Sequence, residues 1–163
     1  MHWIQVIVSS TDVVKRALEH LPSAVICQLE QGLALVPITD EVQSDLSRCH
    51  FDPLHKVVPH SGEIAQGVAE LASRLSAHSP VLYLATYIHG GTGGQDAIVW
   101  KDSQVVLSIG DDEDNMSKWP DSPISRALRH VGVTVRPDQD EFDAIGLGRF
   151  RSNESWAEAY AKA

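Results

Sequence analysis

The stretch IHGGTGG, residues 88–94, sets four glycines (Gly90, Gly91, Gly93 and Gly94) within five positions, directly after an apolar run. Glycine-rich turns after a strand are where phosphate is often cradled, provided that they open a helix whose free N–H groups face the anion. Here they lead instead into QDAIVW (95–100), an alternating segment ending in a β-branched pair and a tryptophan. The dinucleotide fingerprint would require glycine at 96, where Asp96 stands, and no Gly-Lys-Ser/Thr follows. The stretch therefore reads as a hairpin tip, with glycine supplying positive φ. So many glycines also let a ligand or partner approach the backbone, which makes His89, Gly90, Gly91, Gly93, Gly94 and Gln95 candidate contacts.

GDDEDN (110–115) follows an apolar run, but counting from Asp112 puts Met116 at the third ligand position of a calcium loop, with no glycine after it. An acidic turn offering Asp111, Asp112, Glu113 and Asp114 to a basic partner is the alternative. Trp119 joins that set as an aromatic anchor if it is exposed. Asp138, Asp140, Glu141 and Asp143 form a second acidic run. His50, His55 and His60 recur every five residues. That spacing alternates faces on a strand and rotates by about 140° per step on a helix, so neither element gathers them on one ion. Neither Cys27 nor Cys49 carries a zinc or nucleophile signature, and no G-x-S-x-G elbow occurs. No catalytic residue, cofactor or metal is assigned. Arg149 and Arg151 would share a strand face and are expected to meet the acidic runs.

Positioning these groups requires a scaffold that the periodicities outline. His2–Val8 reads as a strand and residues 11–21 as a helix capped by Ser10 or Thr11. AVICQLEQGLALVPI (24–38) reads as two strands turning at Gln31-Gly32. Thr39-Asp40-Glu41 begins a short helix reaching about Cys49, whereas 50–60, with two prolines, is expected to be irregular. Ile64, Val68, Leu71 and Leu75 stripe a helix over 61–78, capped by Ser61. Strands 81–89, 95–100 and 104–109 with short links predict an antiparallel meander. Ser122-Pro123 opens a helix to about His130, and a short helix closes the chain. The expected fold is α+β, one domain over 1–163, with a mainly antiparallel sheet and about four flanking helices.

The chain has 163 residues, 43% of them hydrophobic and 21% charged, enough to bury roughly two thirds of its unfolded surface. A net charge of −9 argues against nucleic acid or anionic membrane and is compatible with a basic partner. Two cysteines make no disulfide framework, no apolar run approaches the roughly 20 residues of a membrane span, and no leader is evident. A cytoplasmic protein is expected.

The stretch Tyr87 to Trp100, with its aromatic strand, double glycine, Gly-x-Gln and Val-Trp, resembles a pattern in small bacterial proteins, some of them immunity partners of secreted antibacterial toxins. It covers about fourteen residues of the 163, and this chain departs from it at His89. The resemblance implies a cytoplasmic inhibitor, without catalysis of its own, that binds a toxin domain. That group is diverse in sequence and fold, so it transfers no functional residues. A small enzyme or ligand-binding domain using the glycine hairpin over a pocket is the alternative, and would place His89, Gln95 and acidic side chains around that pocket. A homo-oligomer would instead present a large apolar self-complementary face.

Overall fold

The computed structural model describes residues 2–48, 66–111, 114 and 116–161. Its frame is one six-stranded sheet in which every neighbouring pair is antiparallel. The strands are β1 (His2–Ser10), β2 (Cys27–Gln28), β3 (Leu33–Pro37), β4 (Val81–His89), β5 (Thr92–Lys101) and β6 (Gln104–Gly110), in spatial order β2-β3-β1-β4-β5-β6. The helices among the described residues are α1 (Thr11–Arg16), α2 (Asp40–Arg48), α3 (Gln66–Leu75), α4 (Pro123–His130), α5 (Glu141–Ala144) and α6 (Asn153–Ala161). The α+β expectation and the meander of β4, β5 and β6 describe this architecture.

Strand alternation sends successive side chains to opposite faces, and both faces are covered. Ile7, Val36, Tyr83, Ile98 and Trp100 pack on one face against Val13, Val14, Val42, Leu46 and Leu71 of α1, α2 and α3. Val6, Val8, Leu82, Leu84 and Val99 pack on the other against Ile124 and Leu128 of α4, Ile145, Leu147 and Trp156 of α6. Hence Val6-Ile7-Val8 and Ile98-Val99-Trp100 are buried without a break, as central strands between two helical layers must be.

Several local expectations shift. The helix of 11–21 is shorter: α1 ends at Arg16 and a 3-10 turn takes over at Ala17–Glu19. Ser10 holds its N-cap position but makes no side-chain cap bond. Gln31 and Gly32, at φ of 59° and 74°, make the turn between β2 and β3. Thr39 caps α2 through its hydroxyl, which accepts from Val42 N at 3.3 Å. The Ser61 cap, the irregular stretch of 50–60, Cys49 and the three evenly spaced histidines lie outside the described residues, and α3 is described from Gln66. Among the described residues no helix is long and apolar enough to cross a membrane.

Candidate functional site

The glycine stretch forms a two-residue hairpin. His89 pairs with Thr92, leaving Gly90 and Gly91 as the turn at φ of 61° and 84°. Both angles lie in the left-handed region that a primed hairpin turn demands. Gly93 is glycine for a different reason: a Cβ there would lie 1.7 Å from the Tyr87 carbonyl oxygen, inside the neighbouring strand's backbone. The strand starts three residues before Gln95, where the sequence predicts it, and continues to Lys101. No helix begins at Gln95, so no set of helical amides faces an anion here.

Gln95 is turned inward. Its side-chain oxygen accepts from Ile124 N at 3.1 Å, satisfying one of the free amides at the start of α4. Ser122 holds the N-cap position but makes no side-chain cap bond. The cap thus comes from a residue 29 positions away, a contact that local sequence cannot announce. His89 is exposed, and its carbonyl accepts from the Thr92 hydroxyl. Beneath the turn lies an open pocket of about 320 Å³ lined by His2, Ile88, Gly90, Gly91, Phe142 and Arg151. Among the described residues neither His89 nor Gln95 nor any carboxylate lines it. Both His2 ring nitrogens are shut off from solvent. Burial, followed by the charge of Arg151, lowers the His2 pKa below its usual value.

The acidic segment is also more structural than its composition implies. Asp111 is 7% exposed and accepts from Gln95 N at 2.6 Å and from Ser117 N at 2.9 Å. This corrects the expectation that it serves a partner: both its oxygens tie the segment after β6 to the start of β5. Asp114 is exposed, whereas Asp112 and Glu113 lie outside the described residues.

Trp119 is 51% exposed, yet it is not loose. Its indole N–H donates to Glu141 Oε2 at 2.8 Å, and Arg129 Nη1 donates to Glu141 Oε1 at 3.1 Å. A second Arg129 nitrogen donates to the Pro120 carbonyl. Glu141 is 2% exposed. Burial alone would raise its pKa, but the Trp119 indole, its own backbone N–H and the Arg129 and Ser125 side chains outweigh that and hold it below the usual value. Asp140 caps α5 by accepting from Asp143 N at 2.8 Å, which fixes the turn carrying Glu141. The second acidic run therefore folds beside Trp119, but its central carboxylate is internal and neutralised by Arg129.

Arg149 and Arg151 share no strand. Arg149 ends a 3-10 turn, where its guanidinium donates to the Gly146 and Gln28 carbonyls and the Tyr160 hydroxyl and lies 5.6 Å from the Trp156 ring centre. It braces α6 and pairs with neither acidic run among the described residues. Arg151 is exposed at the pocket under the hairpin. Cys27 is fully buried beside the Trp156 carbonyl, and burial pushes its thiol up to about 12. Among the described residues no three metal-ligating side chains converge.

One feature escaped the sequence reading. A groove of about 320 Å³ between α6, β3 and α2 is lined by Val25, Pro37, Ala157, Glu41, Glu154 and Glu158, among others. The signal was the spacing of Glu154 and Glu158, which puts two like charges one turn apart on a helix. No protein-family model matches the chain, and no curated protein or solved structure matches it.

Proposed function

We propose that this chain is a protein-binding module without catalysis of its own, and that Trp119 anchors the contact. The observation that carries this reading is the half-exposed Trp119 fixed to the buried Glu141 carboxylate at 2.8 Å. Solvent-exposed tryptophans ordinarily lose rotamer freedom when a partner binds. One already held in place avoids most of that cost, and tryptophan and arginine are the side chains most often dominant at interfaces. Arg129, 38% exposed, adjoins it. The net charge of −9 and exposed Asp114 favour a basic partner, whose encounter an acidic surface accelerates. This is the chemistry of an immunity protein that covers a cationic toxin domain, the role implied by the glycine-hairpin resemblance.

Calorimetric titration against a basic toxin fragment, taken from an adjacent reading frame where one encodes it, tests the proposal. A stable complex is expected, with Trp119→Ala weakening it by about 30-fold or more, the loss typical of a dominant anchor. Absence of a complex, or an unchanged Kd for the variant, overturns it.

A further inference from the structure

We infer that β6 is a self-association edge: two copies of the chain pair antiparallel along this strand, about a two-fold axis at Ser108. The sheet has two edges, and the fold treats them differently. The β2 edge has only two residues, and its Gln28 carbonyl accepts from Arg149 Nη2 and the Tyr160 hydroxyl, each at 3.1 Å. The β6 edge runs for seven residues, none of them buried, and exposes Val105, Val106 and Ser108. Edges of that length are ordinarily blunted by a lysine, a proline or an inward-pointing charge. QVVLSIG contains no ionisable residue and no proline.

The ladder fixes which backbone groups point outward. Asp111 N donates to Gln95 O at 2.9 Å, so alternation turns Ile109 and Leu107, opposite Ala97 and Val99, toward β5. The N–H and C=O groups of Ser108 and Gly110 then face out of the sheet, a row complementary to another extended backbone. Val106 is the extra residue of a bulge, since Val99 opposes Leu107 while Trp100 opposes Val105. The bulge ends the regular edge, which places the axis at Ser108 rather than nearer Gln104. A second copy fits this edge better than a strand of a basic partner. β6 offers no carboxylate to a cationic strand, whereas a copy of itself sets no like charges opposite one another. With the axis at Ser108 the two Ser108 residues exchange hydrogen bonds, and Leu107 of one copy faces Ile109 of the other. Both side chains are half-buried at the rim of the layer that holds α4, so pairing removes more of their apolar surface from water. A two-fold pairing closes on itself, and the short β2 edge gives no template for a third copy. One strand edge buries less than the roughly 1,200 Å² of stable complexes, so a Kd on the order of 10–100 μM is expected.

Sedimentation equilibrium of the full chain from about 5 to 500 μM, with amide exchange measured at both ends of that range, tests the assignment. A monomer–dimer equilibrium is expected, and it should tighten as salt screens the charge of −9 on each copy. The Ser108 and Gly110 amides should slow at high concentration while those of Leu107 and Ile109, already bonded to β5, stay as they are. A half-labelled sample should show an inter-copy Hα–Hα contact from Leu107 to Ile109. Ser108→Pro removes one outward N–H and leaves the β5 ladder in place, so it should abolish the dimer. Ser108→Lys keeps the backbone and sets two cations at the axis, and should weaken the dimer at least about tenfold. A chain still monomeric at about 500 μM, slowed exchange elsewhere but not at Ser108, or a dimer indifferent to Ser108→Lys overturns the assignment. So does capture of a basic toxin fragment by β6 without self-association. Neither variant touches Trp119, so this outcome and that of the protein-binding reading are separable.

Discussion

Substituting Glu141 by glutamine separates an anchored Trp119 from one that is merely exposed. The carboxylate gives one oxygen to the indole N–H at 2.8 Å and the other to Arg129 at 3.1 Å, and it is 2% exposed. Glutamine keeps a single acceptor, so one of the two donors must face an NH₂ group. Losing a hydrogen bond to a buried charged group costs about 1.5–3 kcal/mol. The ionic contribution adds little, because Arg129 is 38% exposed and largely screened by water. A destabilisation of about 2–3 kcal/mol is expected, or a fall in Tm of roughly 4–12 °C for a chain of this size. The assay is thermal unfolding together with acrylamide quenching in a Trp3→Phe background. With Trp3 removed, Trp119 is the one exposed tryptophan, since Trp100 and Trp156 are 2% and 0% exposed. Quenching should rise in Glu141→Gln. Acid should do the same to the parent protein. The Glu141 pKa is lowered on folding, so its contribution is full above the ordinary value of 4.5 and is lost as pH falls through the lower folded value. The glutamine variant should lack that acid transition. Unchanged quenching, or a loss of stability below about 0.5 kcal/mol, would refute a rigidly held Trp119.

Gly93→Ala forces a Cβ against the Tyr87 carbonyl and should cost roughly 3 kcal/mol or more by denaturant unfolding. Gly90→Asn, which tolerates the left-handed turn, should cost no more than about 1 kcal/mol. Asp111→Ala strands the amides of Gln95 and Ser117, so a loss of about 2–3 kcal/mol and faster hydrogen exchange at Ser117 are expected. With its thiol at about 12, Cys27 has about one thiolate in ten thousand at pH 8. In a Cys49→Ser variant it should react with a disulfide reagent only at the rate of global unfolding; rapid labelling of the folded protein would contradict its burial.

Elements declared by local chemistry were legible from the residues. The apolar, β-branched runs of β1 and β5, the Gln31-Gly32 turn, the Thr39 cap and proline at the first position of α4 each reappear in the structure. What escaped is long-range. An acidic run looks alike whether it meets water or backbone amides, so the inward turn of Asp111 and Glu141 had no local signature. Gln95 capping a helix 29 residues away follows from β5 running beneath α4, which depends on the topology. The groove between α2 and α6 joins elements more than 100 residues apart, and only the Glu154/Glu158 spacing hinted at it. The glycine cluster drew attention for its density, yet three of its members answer to backbone geometry alone, namely Gly90 and Gly91 in the turn and Gly93 in the strand.

The central claim is tested most directly by a hydrogen-exchange footprint of the chain bound to such a basic toxin fragment. Protection is expected over residues 116–121, with residues 88–94 exchanging as they do in the free chain. Protection confined to the glycine hairpin and the pocket beneath it would contradict the account and return the site to the glycines.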